Sequence, residues 1–122
     1  MDSHDKEFLK NVLTFFNSPD ELAKSLIERD LQKRVLDWWH FRPQVEFLAD
    51  KKGRCKMDFL IKFENLEKGF KDVHERLGCG LSTLPHFNKG KVTLEGCLNE
   101  ESRAIIRCLY QEDLRLWENC PD

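Results

Sequence analysis

Between Lys6 and Phe16 the apolar residues Phe8, Leu9, Val12, Leu13, Phe15 and Phe16 recur at mostly helical spacing, which predicts a short amphipathic helix needing cover on one face. Ser18-Pro19-Asp20-Glu21 follows. A capping serine, a proline at the first helical position and a glutamate three residues after the serine together predict a second helix that starts here with a capping box. Leu22, Leu26, Ile27, Leu31, Val35, Leu36, Trp38 and Trp39 carry its apolar face onward until Pro43, which pushes Arg42 out of the helical region. Phe41 to Gln44 is then expected to be extended.

The period changes after Pro43. Val45 to Ala49 and Met57 to Phe63 are short apolar or alternating runs on either side of Asp50-Lys51-Lys52-Gly53-Arg54, and this predicts two strands joined as a β-hairpin. Asn65 is placed to cap a helix with Leu66, Phe70, Val73 and Leu77 on one face, which Gly78 ends. From Cys79 to Leu98 the pattern dissolves around Gly80, Pro85, Gly90 and Gly96, a long irregular connection of the kind that serves as a ligand loop or lid. Asn99 caps a last helix with Ile105, Ile106, Leu109, Tyr110, Leu116 and Trp117 on its apolar side. The expected fold is α+β: a single domain over residues 1–122, mainly helical, with one small hairpin.

Composition agrees with a folded domain, since 40% of the 122 residues are hydrophobic and 34% are charged with both signs mixed. A net charge of −2 gives no overall field to draw a polyanion, so nucleic acid is not an expected partner. The five cysteines have no CxxC spacing, and their odd number suggests neither a disulfide framework nor a zinc ribbon; this points to a reducing, cytoplasmic compartment. No basic leader or apolar run of membrane-spanning length is seen, so a soluble chain without a membrane segment is expected.

Most motifs that announce chemistry are missing from the sequence: no GxxxxGK[ST] or GxGxxG loop, no HExxH, no GxSxG. The four histidines are scattered, and no metal site is expected. Two stretches stand out. Trp38-Trp39-His40-Phe41-Arg42-Pro43-Gln44 gathers two indoles, an imidazole, a guanidinium and an amide within seven positions, a mixture that lines pockets but also serves in ordinary cores. Asn88-Lys89-Gly90-Lys91 sets two ammonium groups around a glycine, an arrangement that holds a phosphate or sulfate in some loops and is plain solvated surface in others.

Read in order, His40-Phe41-Arg42-Pro43-Gln44, Phe47-Leu48, Asp58 to Leu66, Leu77-Gly78, Leu84-Pro85-His86-Phe87-Asn88 and Leu109-Tyr110-Gln111-Glu112-Asp113-Leu114 resemble motifs of the carbohydrate sulfotransferases. These pieces are similar to that family's H-x-x-P-Q element, its D-x-[IV]-G-[RK]-[FY]-E-N-L strand end, its L-P-H-x-N loop and its closing L-Y-x-x-D-[FL] helix. The resemblance is clearest over residues 38–117. It departs at Leu60-Ile61, where the family commonly has Ile-Gly.

The resemblance implies a piece of a P-loop-like α/β fold and, for the whole enzyme, transfer of a sulfuryl group from phosphoadenosyl phosphosulfate (PAPS) to a carbohydrate hydroxyl. It implies that His40, Arg42 and Gln44 lie near the acceptor or the domain junction, and that Phe63, Asn88, Lys89 and Lys91 lie beside the donor nucleotide. The 5′-phosphosulfate loop and the 3′-phosphate element of that family have no counterpart in these 122 residues. The expectation is therefore a C-terminal sulfotransferase portion, inactive alone, that self-associates or meets a donor-binding half supplied separately. The alternative is a non-catalytic module that uses the same surface to hold a partner or glycan. Relatives often reside in the Golgi, which leaves the compartment open.

Overall fold

Pro19 begins its helix where its missing N–H costs nothing, and the Ser18 hydroxyl accepts the Glu21 N–H at 3.1 Å. The reciprocal arm is displaced by one residue: the Glu21 carboxylate takes the backbone N–H of Asn17, at 2.9 Å, instead of that of Ser18. The computed structural model describes residues 3–80, 83–85 and 96–120. Its helices are α1 (Ser3–Asn11), α2 (Pro19–Ser25), α3 (Arg29–Leu36), α4 (Val45–Leu48), α5 (Leu66–Leu77), α6 (Glu100–Leu109) and α7 (Gln111–Asn119), with 3-10 turns at Leu13–Phe15 and Phe63–Asn65.

The α+β expectation is overturned, because the described residues are helical and form no sheet. The turn itself is present. Asp50 and Arg54 close it through Asp50 N–H to Arg54 C=O at 2.9 Å, Gly53 supplies φ 73°, and a single antiparallel bridge joins Ala49 to Cys55. The hairpin stops at that one rung because Val45–Leu48 coils into α4. There the Asp113 carboxylate accepts the N–H groups of both Gln44, at 2.8 Å, and Val45, at 2.9 Å, so two donors a helix start leaves unpaired are satisfied from outside. That cap outweighs the strand preference of Val45 and Phe47. Met57 to Phe63 is consequently left without a ladder partner among the described residues.

Four further expectations change. The long second helix breaks at Leu26-Ile27-Glu28, because the Glu28 carboxylate turns back to accept the N–H groups of Asp30 and Leu31 and starts α3 afresh. Those two bonds hold the Glu28 carboxyl below its ordinary pKa. Phe41 to Gln44 forms a turn in place of an extended segment, with Phe41 and Arg42 N–H groups both on the Trp38 carbonyl at 2.9 Å. The last helix bends at Tyr110 into α6 and α7. Helix α5 ends as expected at Gly78, whose φ is 66°, but it starts from the 3-10 turn without a side-chain bond from Asn65.

The core lies among α1, α2, α3 and α6. Phe8, Val12, Leu26 and Val35 are buried, with Leu22, Leu31, Trp38, Phe41, Ile105 and Leu109 packed against them. The Phe8 ring stacks on Trp38 at 4.4 Å between centroids and 9° between planes. Helices α2 and α6 pack against each other through Asp20, which accepts the Asn99 N–H at 2.9 Å and the hydroxyl of the buried Ser102 at 2.7 Å. On the far side, Gly69 in α5 lets the helix approach the Asp58 to Ile61 segment so closely that a Cβ there would sit 2.4 Å from Ile61 Cγ2. The lobe holding Lys62 and Glu64 meets the rest at Trp117: Lys62 lies over the indole at 4.8 Å and Glu64 accepts its Nε1–H at 3.4 Å. Among the described residues no helix is long and apolar enough to cross a membrane.

Candidate acceptor-binding surface

Helix α3 runs out at Leu36, and the chain then winds through Trp38 to Gln44 in turns closed by Trp38 N–H to Val35 C=O and by the two bonds to the Trp38 carbonyl. This winding sorts the side chains. Trp38 and Phe41 go inward to Phe8, their ring centroids 4.4 and 5.7 Å from it. Trp39 goes outward, 68% exposed, with its ring edge-on to Phe47 at 5.3 Å and 74°.

His40 also faces outward, and its Nε2 lies 3.0 Å from Asp5 Oδ1, so the first turn of α1 fixes the imidazole. Arg42 is engaged elsewhere: Nη2 donates to the Asp37 carbonyl at 3.0 Å, and Nε lies 3.7 Å from the Glu46 carboxylate. Gln44 meets Asp113 through its backbone N–H. The three residues expected to act on an acceptor thus share one turn, but each is tied to a different neighbour.

A hollow of about 510 Å³ opens beside this turn, lined by His4, Asp5, Asp37, Trp38, Trp39 and His40. Of the expected acceptor residues, His40 lines it and Arg42 and Gln44 do not. His4, Asp5 and Asp37 belong to it without having been singled out in the sequence. Asp37 adjoins the Trp-Trp-His run and was open to notice, whereas Asp5 lies 35 residues from His40 and nothing local connects them. No group of three or more His, Cys, Asp or Glu among the described residues is arranged to hold a metal ion.

Phe63 is 83% exposed and lines a second hollow of about 540 Å³ with Glu64, Asn65, Leu66, Glu67, Lys68, Leu84 and Pro85. Two carboxylates against one ammonium group do not fit a ligand as anionic as PAPS. Asn88, Lys89 and Lys91, expected beside a donor nucleotide, lie outside the described residues.

Residues at the bend between α6 and α7 hold the Trp38 to Gln44 turn in place. The Tyr110 hydroxyl donates to the Phe41 carbonyl, three residues from where Asp113 receives Gln44 and Val45. Burial, helped by the Asp113 charge, pushes the Tyr110 phenol above its ordinary pKa, so it stays protonated and able to donate. Comparison with protein-family models, with curated proteins and with solved structures returns no match.

Proposed function

We propose that this chain carries the acceptor-side portion of a PAPS-dependent carbohydrate sulfotransferase, and that these residues alone do not turn over. One observation carries the reading. Two of the segments through which the sequence resembles that family, 40–44 and 109–114, meet through Tyr110 to Phe41 and Asp113 to Gln44, and a third, 63–66, reaches the same helix at Trp117, just beyond the motif. Motif pieces about 70 residues apart that share hydrogen bonds form one structural unit, and weak motifs in chance order give no reason for that.

PAPS supplies the sulfuryl group in such a reaction, and the protein must meet the charge that develops during transfer with fixed cations and N–H groups. The described residues give an acceptor hydroxyl several oxygen and nitrogen partners, in Asp5, Asp37 and His40. The hollow they line offers no lysine or arginine to a polyanion, and the neighbouring Arg42 is held by Asp37 and Glu46. The same fact supports the second reading, a module that holds a glycan without transferring anything to it.

The test is radiolabelled PAPS with a panel of sugar acceptors, using the purified chain alone and then mixed with the separately expressed P-loop half of a carbohydrate sulfotransferase. The expected result is background alone and turnover in the mixture. Turnover by the chain alone refutes the stated inactivity, and background in both arms favours the binding module.

A further inference from the structure

We infer that the hollow between α1 and the Trp38 to His40 turn is a subsite selective for neutral pyranosides over uronic acids, with Trp39 as its stacking platform. The inference rests on the acceptor-side reading and adds to it a position and a charge rule. A pyranose ring has an apolar C–H face and a rim of hydroxyls, and it binds where an exposed aromatic face adjoins hydrogen-bond acceptors. Trp39 is the exposed indole here, and its edge-on contact with Phe47 braces one side of the ring, which lowers the ordering cost of binding.

The rim groups are Asp5, Asp37, His4 and His40. The Asp37 carboxylate is exposed and makes no side-chain hydrogen bond or ion pair among the described residues; only its backbone carbonyl is engaged, by Arg42. Asp5 is half-buried and shares one oxygen with His40. Two carboxylates in one hollow welcome hydroxyl donors and repel a ligand carboxylate or sulfate, and the lining contains no guanidinium, Arg42 being held on the Asp37 carbonyl. Selectivity for a neutral residue follows from that balance.

The test follows the indole N–H resonances of the intact 122-residue chain by NMR at pH 8, titrating methyl β-galactopyranoside, methyl β-N-acetylglucosaminide and the methyl glycoside of glucuronic acid. Saturable movement of the Trp39 resonance is expected with the two neutral glycosides, at a Kd of about 1–10 mM, as suits a single sugar on an open surface. The uronate should bind at least about tenfold more weakly.

Trp39→Ala should abolish the response at the neighbouring backbone resonances. Asp37→Asn, which keeps the shape of the hollow, should narrow the gap between neutral and uronate ligands to about threefold or less. Equal affinity for the uronate, no saturable response from the wild-type chain, or shifts that persist in Trp39→Ala overturn the inference. Sugar binding without turnover in the mixed assay leaves this inference standing and removes the sulfotransferase reading; turnover with no response at Trp39 does the reverse.

Discussion

The hydroxyl of Ser102, with no accessible surface of its own, donates to Asp20 Oδ1 at 2.7 Å and so ties α6 to the first turn of α2. The same oxygen takes the Asn99 N–H at 2.9 Å, and Lys24 lies 3.0 Å from the other oxygen. Hydrogen bonds from Asn99 and Ser102 and the bond from Lys24 lower the Asp20 pKa from 3.8 to about 2. A carboxyl whose folded pKa is depressed stabilises the fold above its unfolded value and loses that contribution as pH falls through the folded one. Thermal stability should therefore decline from near pH 4 down to about pH 2, and Asp20→Asn should flatten that part of the profile. An unchanged acid limb in the variant would show that the bonds to Asp20 do not persist in solution.

Tyr110 and Asp113 act as a clamp on the Trp38 to Val45 turn, and their removal should be felt there first. Asp113→Ala leaves the N–H groups of Gln44 and Val45 unpaired and should cost about 1–3 kcal/mol in chemical denaturation. Tyr110→Phe loses one bond to the Phe41 carbonyl and should cost about 1 kcal/mol. Because the phenol's pKa is raised in the fold, the wild-type chain should also lose stability above about pH 10, and Tyr110→Phe should lose less.

Gly69 and Ile61 are coupled by shape. Alanine in a helix is ordinarily better than glycine by about 1 kcal/mol, yet a Cβ at position 69 meets Ile61 Cγ2 at 2.4 Å and Cγ1 at 2.9 Å. Gly69→Ala alone should lower the melting temperature. Combined with Ile61→Ala it should recover, giving a non-additive double-mutant cycle of at least about 0.5 kcal/mol. Additive effects would mean that α5 and the Ile61 segment do not touch as described.

Val35 and Trp39 lie four residues apart with opposite exposures. Val35 is fully buried, and Val35→Ala should cost about 2 kcal/mol through the lost methyl groups and the space they leave. Trp39→Ala, at a position 68% exposed, should change stability by no more than about 0.5 kcal/mol. Urea denaturation of the two variants side by side checks both, and a large loss at Trp39 would give that side chain a structural role.

What could be read from the sequence was what neighbouring residues decide. The Ser18 and Asn99 caps, the Gly78 stop and the turn at Asp50 to Arg54 each depend on a few adjacent positions, and each is present. What could not be read depends on distant partners. Val45 to Leu48 has a strand's composition and becomes a helix because Asp113 caps it from 68 residues away. Likewise the hollow at His40 owes Asp5 to the docking of α1, and no periodicity in the sequence reports on that. The breaks at Glu28 and Tyr110 belong to the same class, since a continuous apolar stripe looks identical whether or not a side chain interrupts the ladder.

Helix α5 has no buried residue, and the lobe that carries it meets the closing helix at Trp117, where Lys62 lies over the indole and Glu64 accepts its N–H in a long hydrogen bond. A segment attached in this way gains little from the core that holds α2 and α6 together. Its amide protons should therefore exchange with deuterated solvent through an opening that leaves the Phe8 and Val35 cluster closed. The chain would then have two melting units of unequal strength, with the Trp117 indole as the joint between them.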